Sequence, residues 1–85
     1  MTIRIGIAGV MGRMGQALVG EVLAQGSRAA LAGGSERPGH PALGQPIRDP
    51  ASHADSGCTV TSDIAALFAA ADVVIDFSSP QALPI

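Results

Sequence analysis

Apolar residues along this 85-residue chain fall into short blocks whose period changes from one block to the next. In residues 3–8, Ile3, Ile5 and Ile7 alternate with Arg4, Gly6 and Ala8. That two-residue period predicts a strand, and Gly6 and Ala8 are small enough for a helix to pack closely. Over residues 13–25 the period lengthens: Met14, Ala17, Leu18 and Val22 recur at i, i+3, i+4 and i+8, one face of a helix. Gly26 follows as the expected stop. Residues 28–35 read Arg-Ala-Ala-Leu-Ala-Gly-Gly-Ser. Their lack of β-branched side chains argues against a strand, and their place after a glycine-stopped helix argues for one.

Residues 38–57 carry Pro38, Pro41, Pro46 and Pro50 with three glycines, and read as a long loop with a short turn near 42–44. A short third strand is expected over 58–61. A helix over 63–71 follows, capped by Ser62 or Thr61, with Asp63 favourable in its first turn. Ile64, Leu67, Phe68 and Ala71 form its apolar stripe. Residues 72–77, Asp-Val-Val-Ile-Asp-Phe, read as a fourth strand. Ser78-Ser79-Pro80 then turns the chain, with Pro80 in the first turn of a further helix. Strand, helix, strand, loop, strand, helix, strand is a βαβ series. It predicts an α/β, Rossmann-like parallel sheet in the order third, second, first, fourth, with right-handed crossovers and helices on both faces.

The first strand runs into Gly9, Gly12 and Gly15, spaced three apart, and the first helix starts within them. A strand, a glycine turn and a helix in that order form the phosphate-binding corner of dinucleotide folds. There the helix N-terminus offers unpaired N–H groups and the positive end of its dipole. The spacing is G-x-x-G-x-x-G rather than G-x-G-x-x-G, because Met11 takes the place of the second glycine. Gly9 makes the tight turn, Gly12 lets a pyrophosphate approach the backbone, and Gly15 lets the helix lie on the first strand. The ligand-free alternative is a tight strand-to-helix turn. Such folds also place an acid about 20 residues on, where it accepts from the adenosine ribose hydroxyls. Glu36 lies 21 residues past Gly15, and the adjacent Arg37 has the planar fork that suits a 2′-phosphate. The pair suggests tolerance of both NADH and NADPH. The bland alternative is two solvated charges at a strand end.

Composition narrows the classes. A 47% hydrophobic share and a mean hydropathy of +0.37 are too apolar for a disordered chain and suit a buried parallel sheet. No apolar run approaches the roughly 20 residues of a membrane span, and no secretory signal is evident. The net charge is −2 and all five basic residues are arginines, which argues against nucleic acid as a partner. With no lysine present, none can serve as proton donor or Schiff base. The single Cys58 cannot close an internal disulfide, favours a reducing cytoplasm, and reads as a packing thiol rather than a nucleophile. His40 and His53 read as solvated loop histidines, with no metal site. Met11 and Met14 read as core packing.

Three stretches resemble one family. Ile7-Ala8-Gly9-Val10-Met11-Gly12-Arg13-Met14-Gly15 is similar to the amino-terminal motif of dihydrodipicolinate (4-hydroxy-tetrahydrodipicolinate) reductases. Glu36-Arg37 resembles that family's cofactor-selecting pair. Asp72-Val73-Val74-Ile75-Asp76-Phe77-Ser78-Ser79-Pro80 is similar to its D-V-x-I-D-F-[ST]-x-P signature. The resemblance implies an enzyme that passes a hydride from NADPH or NADH to a dihydrodipicolinate-level substrate on the diaminopimelate and lysine route. It places Gly9, Arg13, Met14 and Gly15 at the pyrophosphate, Glu36 and Arg37 at the adenosine ribose, and Phe77 and Ser78 beside the nicotinamide. The family's catalytic histidine and lysine, its substrate loop and its tetramer-forming domain have no counterpart in these 85 residues. No catalytic residue is therefore assigned here. The chain reads as an incomplete dinucleotide-binding domain, inactive alone and not itself the tetramer. The competing readings are the cofactor domain of another NAD(P)-dependent dehydrogenase and a stand-alone nucleotide-binding module.

Overall fold

Strand β1 (Ile3–Ala8) lies between β2 (Ala29–Ser35) and β5 (Val73–Asp76) and runs parallel to both. The structure, a computed structural model, describes residues 2–77. Strand β4 (Asp55–Thr61) adds in parallel to the far side of β2. Strand β3 (Pro46–Arg48) pairs antiparallel with β4, giving the order β3-β4-β2-β1-β5. Helix α1 (Arg13–Ala24) links β1 to β2, and α2 (Ile64–Ala70) links β4 to β5. The parallel strands thus stand in the order that the βαβ series predicts. The expected further helix after Pro80 and the Ser78 site residue lie outside the described residues.

Successive strand residues point to opposite faces of a sheet. Ile7 belongs to the core cluster with Val10, Val19 of α1, Ile47 and Val60. Gly6, its neighbour, faces Leu67 of α2, so the two helices cover opposite faces. A Cβ on Gly6 would stand 2.8 Å from Leu67 Cδ1, and one on Gly33 would stand 3.3 Å from the same atom. Leu67 therefore seats in a notch formed by two glycines. On the α1 side, a Cβ on Gly34 would stand 2.6 Å from Val10 Cβ. The low strand propensity of β2 has its explanation here: its small residues make room for Val10 and Leu67. The bulge between Ile5 and Gly6, which pairs Ile5 with Leu31 but Gly6 with Gly33, brings those glycines into place.

Several expectations are corrected. The segment 38–57 is not a plain loop. It turns at 41–44 as expected, then forms β3, and β4 begins at Asp55, three residues before Cys58. Pro46 is tolerated because it opens an edge strand, and Ile47, 1% exposed, fills the core beside Val60. The sheet is therefore mixed at one edge. Helix α1 buries Gly15, Val19 and Val22, not a stripe that includes Met14 and Ala17. Gly15 must face β1, which turns Met14 outward to 62% exposure, and Met11 is 38% exposed, so neither methionine packs the core. Helix α2 starts one residue later than expected: Asp63 is its N-cap and accepts from the Ala66 N–H at 3.0 Å. Thr61 Oγ1 in turn accepts from the Asp63 N–H. Of the expected stripe only Leu67 is buried and Ala71 half-buried; Ile64 and Phe68 are exposed.

The start of β5 is clasped to β1. Asp72 N–H donates to the Arg4 carbonyl at 2.8 Å, and Asp72 Oδ2 accepts from the Arg4 N–H at 2.8 Å. The Arg4 guanidinium stands 3.6 Å from Oδ1. The backbone hydrogen bond from Arg4, with help from its side chain, holds the Asp72 carboxyl below its ordinary value. A depressed folded pKa stabilises the fold above the unfolded carboxylate value, and that contribution vanishes as pH falls through the folded value. Asp72→Asn is therefore expected to lower the melting temperature modestly at pH 7. The gap between variant and parent should close on acidification below the usual carboxylate range. A gap that persisted unchanged at pH 2 would show that the ionised carboxylate is not what the clasp uses.

Candidate functional site

The carboxyl ends of β1 and β2 and the amino end of α1 meet at one corner. Gly9 has φ +76°, a conformation L side chains rarely adopt, and its N–H donates to the Ser35 carbonyl at 2.9 Å. The Gly12 N–H donates back to the Gly9 carbonyl at 3.1 Å, which closes the turn. Gly12 is then the N-cap of α1, in extended conformation. It has no side chain to cap the helix, and no acid stands in the first turn. The first-turn amides of a helix have no intrahelical acceptor, so those of Arg13, Met14 and Gly15 are left with neither that bond nor a side-chain cap from Gly12. Gly15 serves a different purpose: a Cβ there would overlap the Gly9 carbonyl oxygen and stand 2.7 Å from that of Val10. Arg13 is exposed at the helix start. Gln16, which no motif singled out, steadies the turn by donating from Nε2 to the Val10 carbonyl at 2.9 Å.

Glu36 follows β2, its N–H tied to the Thr61 carbonyl at 2.9 Å. Its Oε2 accepts from the Met11 N–H at 2.8 Å, so the carboxylate reaches into the glycine turn. A cavity of about 230 Å³ opens beside this bond, lined by Gly9, Gly12, Glu36, Arg37, His40 and Phe77 together with Met11. A second cavity of about 320 Å³ shares Glu36 and Arg37 and extends to Pro38, Ser62 and Ile64. Phe77 donates its N–H to the Ala8 carbonyl at 2.8 Å and packs on the core. Of the residues expected at the site, Gly9, Gly12, Glu36, Arg37 and Phe77 therefore come together. Arg13, Met14 and Gly15 form the adjoining helix start and do not line the cavity.

His40 is the residue that sequence reasoning missed. It was expected in solvent, yet its side chain is 19% exposed and shares the cavity with Glu36. Its spacing of four from Glu36 was visible, but it is a turn, closed by the His40 N–H on the Arg37 carbonyl at 3.1 Å, that brings the two together, and the spacing alone does not mark that turn. His53 does lie exposed, with φ +62°. Among the described residues no three His, Cys, Asp or Glu side chains gather to hold a metal. Burial pushes the Cys58 thiol up; a hydrogen bond with Ser56 opposes this and the Asp55 charge adds to it. Protonated, Cys58 donates to the Leu31 carbonyl at 3.3 Å, as a packing residue does.

A family model described as dihydrodipicolinate reductase, N-terminus, matches residues 3–84. The chain belongs to this family. The 4-hydroxy-tetrahydrodipicolinate reductase of Cereibacter sphaeroides is 47% identical over 76 residues, which are 89% of this chain and 28% of that protein. The protein of the same name from Burkholderia multivorans is 44% identical over 78 residues, 92% of this chain and 29% of the relative. That from Pelobacter propionicus is 38% identical over 79 residues, 93% and 29% respectively. The chain thus spans less than a third of the length of these relatives. It corresponds to the amino-terminal, nucleotide-binding part of a dihydrodipicolinate reductase. No helix among the described residues is long and apolar enough to cross a membrane.

Proposed function

We propose that this chain binds NADPH or NADH as the cofactor half of a 4-hydroxy-tetrahydrodipicolinate reductase, an oxidoreductase of diaminopimelate and lysine synthesis in the cytoplasm. The observation that carries this reading is the meeting of Gly9 and Gly12, the N-cap beside the uncapped start of α1, with Glu36 and Arg37 at one cavity. The residues fit a dinucleotide. The amides of Arg13, Met14 and Gly15 take the pyrophosphate, where backbone N–H groups and the helix dipole both favour negative charge. Glu36 accepts from the adenosine ribose hydroxyls, and Arg37 meets a 2′-phosphate. The larger cavity, with half-exposed Ile64 on one wall, takes the adenine. Phe77, at the end of β5, faces the nicotinamide side. The bound cofactor supplies a hydride; this chain's residues bind and orient it.

In this reading the hydride acceptor and the proton donor are held by residues that these 85 do not contain, so the chain alone binds nucleotide without turnover. The family's small-molecule substrate and homotetrameric assembly belong to the same proposal, with no nucleic acid or membrane partner. The test is a thermal melt with and without nucleotide. A ligand that binds only the folded form at 100 times its Kd adds about 2.7 kcal/mol, a shift of roughly 10–20 °C for a domain of this size. No shift with millimolar NADH or NADPH would sink the reading.

A further inference from the structure

His40 carries an unspent hydrogen-bond donor into the same cavity. Its Nδ1 accepts from the Ala42 N–H at 3.0 Å, so Nδ1 bears no proton and the neutral ring carries its proton on Nε2. That nitrogen stands 4.0 Å from Glu36 Oε1, beyond hydrogen-bond reach. Glu36 Oε2, by contrast, is already engaged by the Met11 N–H. The gap between Nε2 and Oε1 is the width that one oxygen can bridge at about 2.8 Å from each. A hydroxyl there accepts from His40 and donates to Glu36. A phosphate oxygen has no proton for Glu36 and accepts from His40 only on the side away from that carboxylate, in the cavity that Arg37 also lines.

We propose that His40 is a specificity-determining residue of the adenosine-ribose site, whose Nε2–H donates to the 2′-oxygen of the bound nucleotide. The proposal rests on the reading of this cavity as the ribose site. Its effect differs between cofactors. Toward a 2′-hydroxyl it makes a neutral hydrogen bond; toward a 2′-phosphate it makes a charge-assisted one, roughly twice as strong. His40 and Arg37 thus act together for the phosphate, while Glu36 favours the hydroxyl.

His40→Asn separates this role from a structural one. The asparagine carbonyl oxygen replaces Nδ1 as acceptor for the Ala42 N–H, while the Nε2–H is lost. Binding is measured by calorimetry with two pairs of probes, NADPH against NADH and adenosine 2′,5′-bisphosphate against 5′-AMP. H40N is expected to weaken the 2′-phosphorylated member of each pair about tenfold and the other about threefold or less. Its melting temperature without ligand should match the parent's. His40→Gln, which restores a side-chain N–H with longer reach, should recover part of the loss for the phosphorylated probes. An equal loss for both members of a pair, or none, overturns the role of His40 while leaving the nucleotide site standing. Absence of binding by the parent protein overturns the site reading and the role together.

Discussion

Gly15→Ala is expected to unseat α1 and abolish nucleotide binding. The added methyl would overlap the Gly9 carbonyl oxygen and crowd that of Val10 at 2.7 Å. Both obstacles are backbone in a hydrogen-bonded turn, so neither can yield as a flexible side chain yields. The helix must back away from β1, and Val19 and Val22, at 0% and 2% exposure, lose their packing. The penalty is at the upper end of that for overpacking a core, about 3 kcal/mol, against a stability that is small for so short a domain. Gly20 supplies the control. It lies in the same helix, and a Cβ there meets nothing closer than Pro50 at 3.9 Å. Gly20→Ala should therefore be neutral or add about 0.5–1 kcal/mol through lower backbone entropy in the unfolded chain. Urea titration of the two variants reads both signs. A Gly15→Ala protein as stable as its parent would show that α1 does not depend on this approach.

Opposite changes in cofactor preference are expected from Arg37→Ala and Glu36→Gln. Removing the guanidinium deletes the proposed charge-assisted contact to the 2′-phosphate, worth about 1.5–3 kcal/mol, or roughly ten- to a hundredfold in the NADPH Kd. NADH has no such phosphate and should lose much less. The glutamine of E36Q keeps an acceptor for the Met11 N–H, so the turn stays in place. In the proposed ribose site it removes the carboxylate that would receive the ribose hydroxyls and repel a phosphate. NADH should weaken by about tenfold and NADPH should hold or tighten. Calorimetry on both variants with both nucleotides gives the four numbers. A common factor for NADH and NADPH in either variant would remove that residue from the 2′ position.

The glycine corner was legible in the sequence because its chemistry is local. Gly9, Gly12 and Gly15 are required by a turn, a cap and a close approach, all made within seven residues of each other. The same holds for β1, whose bounds the alternating isoleucines predicted. Glu36 was legible through its distance from that corner, since one βαβ unit has a narrow range of lengths. Helix faces were less so. The apolar period over 13–25 fits more than one rotation of α1, and only the need for Gly15 to meet the Gly9 and Val10 backbone selects the one observed.

What the tertiary structure alone decided depends on partners far away in sequence. β3 is three residues that open on Pro46 and stop short of Pro50, and nothing local marks Ile47 as core; Val60 across the hairpin and Val19 of α1 bury it. The glycines of β2 argued against a strand until Val10 and Leu67 were seen to occupy the space they leave. His40 read as a loop histidine until the turn at 41–44 bound its Nδ1 and swung its other nitrogen toward Glu36. The sequence by itself determined the βαβ order, the glycine corner and the acid–arginine pair beside it, because each follows from short-range geometry. The rotation of α1, the antiparallel edge and the place of His40 follow from long-range packing, where a residue's role is set by what lies against it.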